Sequence, residues 1–203
     1  MVKTKENALS RGNWRTALRK CRDYVTYNYD NGSYKGQAYN GSRSGLGMYS
    51  WNDGSYYIGG WNSGDRKGMA IYISTSGYTV NSCPDCAYFV GEWSSYDKSG
   101  TGTCYDKFGN LIYYGTFVND KPTQTYPMTG YSSYKFECQE LSRGDYYIGE
   151  TKDGNRHGMG VYIWSSGDMW YGNWSEGQRD GYGIYMPYQG SVSTGTWKGD
   201  TKQ

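Results

Sequence analysis

A glycine set among aromatics recurs along this chain, and that recurrence restricts what the chain can fold into. Gly36 in "YKG", Gly59 in "YIG", Gly91 in "FVG", Gly115 in "YYG", Gly149 in "YIG", Gly172 in "WYG" and Gly195 in the weaker "STG" lie 23, 32, 24, 34, 23 and 23 residues apart. Two residues before each stand Tyr34, Tyr57, Phe89, Tyr113, Tyr147 and Trp170, with Ser193 the exception. Two residues after stand Trp61, Trp93, Phe117, Trp174 and Trp197, while Ala38 and Thr151 break the pattern. Nine residues after, a second glycine pair or its remnant begins: "GLG" at Gly45, "GMA" at Gly68, "GTG" at Gly100, "GMG" at Gly158 and "GYG" at Gly181. Thirteen residues after come Tyr49, Tyr72, Tyr162 and Tyr185. Positions are numbered below from the triplet glycine, taken as 0.

A fixed period of two dozen residues is the mark of a repeat architecture. Positions −2, 0 and +2 share one face of a strand, and +9, +11 and +13 share the same face of a second strand. Glycine inside a strand weakens it unless something must approach the backbone closely. Here it predicts that an aromatic ring from a neighbouring strand lies on bare main chain. "NSGDRK" after Trp61 reads as a polar loop between the two strands, and "NDGS" at 52–55 as a tight Asp-Gly hairpin turn between repeats. The expected fold is all-β: an elongated single-layer antiparallel meander of about seven stacked hairpins over residues 31–203, roughly 65–70 Å long at two strand spacings per repeat. Composition agrees. The 31 glycines and 25 tyrosines do not suit a helical bundle, and so many aromatics do not suit disorder.

"YIGGWNSGDRKGMAIY" and "YIGETKDGNRHGMGVY" resemble MORN repeats (membrane occupation and recognition nexus), whose pattern is roughly Tyr-x-Gly-x-Trp, a polar loop, then Gly-x-Gly-x-x-Tyr. The resemblance covers residues 34 to about 198. Repeat four departs from it: after Gly115 the expected glycine pair is Gln124 and Tyr126, with Pro122 and Pro127 nearby, so its second strand should be irregular. The resemblance also implies links to membranes and phosphoinositides.

Two long gaps mark insertions near 78–88 ("GYTVNSCPDCAYFVG") and 129–145 ("TGYSSYKFECQELSRGDYYIG"). Both are placed in the junction turn, so both should leave the ribbon from one edge. Cys83-Pro-Asp-Cys86 is half a zinc site without its second pair, so a metal at Cys83 and Cys86 is a weak reading beside a disulfide or free thiols. Cys104, at +13, reads as a small buried residue.

Residues 1–22 carry Lys3, Lys5, Arg11, Arg15, Arg19, Lys20 and Arg22 against Glu6, a balance of +6 in a chain of net +2. "RGNWRTALRKCRDY" is the one helix-like stretch, so residues 1–30 are expected to form a basic helix or cap. It fits a helix covering the open edge of the first hairpin, the tail of an upstream domain, or an amphipathic helix docking on anionic membrane through Arg11, Arg15, Arg19, Lys20 and Arg22. No apolar run approaches a membrane span and no signal sequence is read. A cytoplasmic protein is expected, membrane-peripheral under the anionic-lipid reading, with room for a targeting segment upstream.

His157, the only histidine, reads as a tolerated loop residue. Glu92 and Glu150 read as outward surface charges. No enzyme, cofactor or nucleic-acid partner is expected. The leading expectation is a non-catalytic protein-binding or scaffold module using the aromatic face, with Tyr57, Trp61, Trp93, Tyr147 and Trp174 as contacts wherever they are exposed. Anionic lipid and carbohydrate are the other ligand classes, and edge-strand pairing between two copies is a further option.

Overall fold

The computed structural model describes residues 25–80, 83–188 and 192–203. Sixteen strands follow one another among these residues. They are β1 (Val25–Tyr29), β2 (Gly32–Tyr39), β3 (Ser42–Trp51), β4 (Tyr56–Asn62), β5 (Asp65–Val80), β6 (Cys83–Ser95), β7 (Asp97–Tyr105), β8 (Leu111–Val118), β9 (Lys121–Thr125), β10 (Tyr134–Glu140), β11 (Tyr146–Lys152), β12 (Asn155–Ile163), β13 (Met169–Ser175), β14 (Gln178–Met186), β15 (Ser193–Lys198) and β16 (Thr201–Lys202). Every strand pairs antiparallel with its sequence neighbour inside its sheet, so the hairpin meander is as expected. There are two sheets, however, not one ribbon: β1 to β9 form a nine-stranded sheet and β10 to β16 a seven-stranded one. They belong to two compact units that meet in sequence at Ser132 and Ser133.

Repeat four explains the break. Gln139 pairs with Tyr147, the −2 residue of the next repeat, just as Tyr49 pairs with Tyr57. β10 is therefore the true second strand of repeat four, separated from β8 by inserted chain. It carries Glu137 and Gln139 where the other repeats place glycine and tyrosine, so it offers no bare backbone for the Tyr113 ring. The insertion supplies β9 instead, which pairs with β8 and receives the Tyr113 hydroxyl on the Gln124 carbonyl at 2.8 Å. Pro122, which has no N–H to donate, lies opposite Phe117 in this short strand. The second insertion thus lies inside repeat four, in sequence between its two strands. The first lengthens the junction hairpin between β5 and β6. The two do not share an edge.

Turn types are also reversed from expectation. The segment after Trp61 is a two-residue turn, Ser63–Gly64, with Asp65 and Arg66 already in β5. Both turn residues have positive φ, 49° and 95°, which a type I′ hairpin requires. Asn40–Gly41, Asp153–Gly154 and Glu176–Gly177 repeat this geometry. The Asp-Gly junction at 52–55 is longer: Gly54, at φ 87°, donates to the Trp51 carbonyl at 3.0 Å.

Residues 25–29, assigned to the amino-terminal cap from sequence, are strand β1, paired with β2. The basic segment holding Arg11, Arg15, Arg19, Lys20 and Arg22 lies outside the described residues. No described helix is long and apolar enough to cross a membrane.

Candidate functional site

The aromatic face is built as the repeat predicts. A Cβ added at Gly47 would come inside 3.0 Å of the Tyr34 ring; the same holds for Gly102 under Phe89, Gly160 under Tyr147 and Gly183 under Trp170. Only hydrogen leaves room for these rings. The pairing register slips by two residues directly after the triplet glycine, at Gly36, Gly59, Gly91, Gly149 and Gly172, the extra residues lying on the second strand of each hairpin. There the −2 tyrosine donates its hydroxyl to the carbonyl at +1: Tyr34 to Gln37 at 2.5 Å, Tyr57 to Gly60 at 2.9 Å and Tyr147 to Glu150 at 2.6 Å. Burial pushes the phenols of Tyr34, Tyr57 and Tyr147 upward, so they remain neutral donors.

The +1 side chain is part of the same joint. Gln37 Oε1 accepts from Leu46 N at 2.7 Å, and Glu150 Oε2 from Met159 N at 2.8 Å. Glu92 Oε1 accepts from Thr101 N at 3.2 Å. Glu92 is exposed as expected, but Glu150 is only 8% exposed. It is not an outward surface charge, because closing the bulge draws its carboxylate onto the backbone.

All five aromatics expected to bind are core. Tyr57 and Tyr147 are 0% exposed, Trp93 3%, and Trp61 and Trp174 5%. The tryptophans stand edge-on to the tyrosine rings, Tyr57–Trp61 at 5.1 Å and Tyr147–Trp174 at 5.5 Å, and so close the row on itself. The Trp61 indole also donates to Gly47 O at 3.1 Å, and that of Trp174 to Gly160 O at 3.3 Å.

A second row, which sequence reasoning missed, lies over these tryptophans. Position +7 holds a cation in six repeats: Arg43, Arg66, Lys98, Arg156, Arg179 and Lys202, with Pro122 the exception. The Arg43 guanidinium lies 4.3 Å from the Trp61 ring centre, Arg66 4.4 Å from Trp93, and Arg156 4.8 Å from Trp174. Five of the six cations, all but Lys202, reach position +5 of the next repeat. Arg43 donates to Gly64 O at 2.6 Å, Arg156 to Gly177 O at 2.6 Å, and Arg66 to the Tyr96 carbonyl. Lys98 pairs with Asp120 at 3.3 Å and Arg179 with Asp200 at 2.9 Å. The signal was present in the sequence as a basic residue in register, hidden inside what read as a polar loop.

What the face leaves accessible are single rings of a third row at +13 and +15, in which Tyr49 and Cys104 are themselves buried. Tyr49, Trp51 and Tyr72 form a chain of rings, 4.7 and 5.7 Å apart, in the nine-stranded sheet. Tyr162, Trp164 and Tyr185 reproduce it at 4.7 and 5.8 Å in the seven-stranded sheet. Trp51, Tyr72, Trp164 and Tyr185 are half-buried. Burial and a hydrogen bond to Asp145 push Tyr162 up to about 12.

The remaining sequence candidates are dispersed. His157 Nε2 meets the Tyr134 hydroxyl at 3.4 Å. Cys86, Cys104 and Cys138 are buried, and Cys86 Sγ donates to Tyr88 O at 3.3 Å. Cys83 falls in β6, with its side chain outside the described residues. Among the described residues no group of three or more His, Cys, Asp or Glu is arranged to hold a metal ion.

The MORN repeat family model matches residues 34–56, 57–77, 147–169 and 170–186, two repeats in each sheet. These four segments are MORN repeats. A comparison with curated proteins finds no match. MORN repeats generally serve protein or membrane association.

Proposed function

We propose that this MORN-repeat chain is a non-catalytic protein-binding module whose contacts are the half-exposed rings of Trp51 and Tyr72 and their equivalents Trp164 and Tyr185. One observation carries the reading: in both sheets the same chain of three rings, with matching spacings, leaves its tryptophan and its last tyrosine half-open, Trp51 and Tyr72 in one and Trp164 and Tyr185 in the other. The −2 and +2 aromatics beside it are shut, apart from the half-buried Tyr113. Tryptophan and tyrosine that combine a rigid apolar body with a polar tip are the side chains most enriched where partners dock. The anionic-membrane reading rests on residues 1–24 and is tested alongside.

The test places a photo-crosslinking phenylalanine analogue at Tyr72 or Tyr185 in cells. Tyr182, 58% exposed and at +10 on the opposite face, is the control. Protein adducts from positions 72 and 185 that vanish with Trp51→Ala and Trp164→Ala, and that are not formed from position 182, support the proposal. Adducts to lipid or glycan alone, or adducts indifferent to those tryptophans, contradict it.

A further inference from the structure

We infer that the nine-stranded sheet takes an acidic, extended peptide with carboxylates at every third residue, one against Arg43 and the next against Arg66, and the residues between them on Trp51. This inference rests on the protein-binding reading above and names the chemistry of the partner.

The charge on this face is asymmetric. Of the cations over the tryptophans, Lys98 and Arg179 are neutralised by Asp120 and Asp200. Among the described residues Arg43 and Arg66 make no ion pair. Each spends donors on one backbone carbonyl, Gly64 and Tyr96 respectively, out of the five N–H groups a guanidinium carries. The Arg66 Nε is buried with no hydrogen-bond partner. Burial lowers the Arg66 pKa, opposed by Tyr57, Asp120, Tyr72 and Asp97. A carboxylate brought to it would satisfy a cation already held out of water, the setting in which charge-assisted hydrogen bonds are strongest. Arg156 also lacks an ion pair among the described residues, but its neighbour Arg179 does not. The only two adjacent open rungs among the described residues are therefore Arg43 and Arg66. The ladder ends there, because Asp97 and Asp120 beside Lys98 would repel a third carboxylate.

Spacing then selects the peptide. Arg43 on β3 and Arg66 on β5 are separated by two strand spacings, about 9.6 Å. A polyproline helix rises about 3.1 Å per residue with three residues per turn, so every third side chain falls on one face about 9.3 Å apart. Intervals of two or four residues, about 6.2 and 12.4 Å, miss. Trp51 links the two cations through Tyr49: its half-open ring is 6.0 Å from the Arg66 guanidinium and 4.7 Å from the Tyr49 ring, which the Arg43 guanidinium approaches to 5.5 Å, and it is the kind of aromatic surface on which proline packs.

Isothermal titration of the full chain with acetyl-(Glu-Pro-Pro)4-amide, acetyl-(Glu-Pro)4-amide and acetyl-(Glu-Pro-Pro-Pro)4-amide tests this directly, since all three carry four glutamates. The expected result is a preference of about tenfold or more for the three-residue interval. Arg43→Gln, Arg66→Gln or Trp51→Ala should remove it, and added salt should weaken it. The spacing series on unaltered protein decides the matter if a variant misfolds. Equal binding of the three peptides, or binding lost in Trp51→Ala but kept in both arginine variants, overturns the acidic-ladder inference and leaves the protein-binding reading standing. Absence of binding up to about 1 mM overturns the inference, with the crosslinking test still deciding the broader reading. Vesicles with 30% phosphatidylserine bound through Arg43 and Arg66, with no peptide binding, overturn it in favour of membrane.

Discussion

Arg66 and Arg179 occupy the same place in the two sheets, each 6.0 Å from an equivalent half-open tryptophan, Trp51 or Trp164, yet they end in different chemistry. Arg179 closes on the Asp200 carboxylate, whereas Arg66 meets only the Tyr96 carbonyl. The difference lies at position +5 of the following repeat, Asp200 in one case and Tyr96 in the other. One turn residue therefore decides whether a repeat's cation is ion-paired within the fold or meets only a backbone carbonyl. A repeat protein can keep one backbone geometry and alter its binding face by varying a position that does not touch the core.

The largest expected effect tests the part of the comparison in which the sheets should agree. Gly47→Ala and Gly160→Ala push a methyl group into the Tyr34 and Tyr147 rings, and each should cost about 1–3 kcal/mol by denaturant titration. A loss in one sheet only would mean that the repeats are not equivalent. Next come exchanges at the +5 position. Tyr96→Asp supplies Arg66 with a carboxylate and Asp200→Asn removes one from Arg179. Each should shift stability by no more than about 1 kcal/mol in opposite directions, and Tyr96→Asp should abolish the peptide spacing preference.

Acid sharpens the same contrast. Burial raises the Asp200 carboxyl, but the Arg179 backbone N–H and guanidinium outweigh it and hold the group below its ordinary value. Its contribution is full above about pH 4, the unfolded carboxylate range, and is lost as pH falls through the folded value. Asp97 has the opposite sign. Burial, then the charge of Asp120 and the hydrogen bond shared with it, raise its pKa, so its contribution is present in acid and is lost as pH rises from about 4 through the raised value. Segment-resolved hydrogen exchange between pH 3 and 6 should show protection of β14–β16 falling in acid while that of β7–β9 rises. Asp200→Asn and Asp97→Asn should each flatten one trend.

The smallest expected effect concerns a natural exception. Ala70 replaces the +11 glycine in repeat two, and the Trp93 indole N–H, which should find that carbonyl, is buried without a partner. Ala70→Gly should restore a hydrogen bond of about 1 kcal/mol at a backbone cost of about 0.5–1 kcal/mol. A near-zero change in stability is expected, with altered Trp93 fluorescence.

The regular part of the fold was legible because a strand repeats every two residues, so Tyr34, Gly36 and the rows in step with them declare their face. The division into two sheets was not, because Glu137 and Gln139 hide the register of β10 and only pairing reveals it. The turns were misread because Asp-Gly at 53–54 suits more than one turn, while Ser63–Gly64 looked like part of a longer loop. The proposed contacts failed at Tyr57, Trp61, Trp93, Tyr147 and Trp174 because edge-on tryptophans and overlying arginines bury a face that a flat single layer would expose. The half-open Trp51 and Trp164 sit at +15, a position the repeat pattern does not reach.

The central claim is that aromatic rings rest on bare glycine backbone in both sheets, and the α-proton chemical shifts of the glycines read it most directly. The α-protons of Gly47, Gly102, Gly160 and Gly183 should be displaced strongly upfield by ring currents relative to Gly41 and Gly154, which have nothing near them. Tyr34→Ala should return Gly47 alone to the ordinary range. Ordinary shifts at all four covered glycines, or a Gly47 shift unmoved by Tyr34→Ala, would contradict the account.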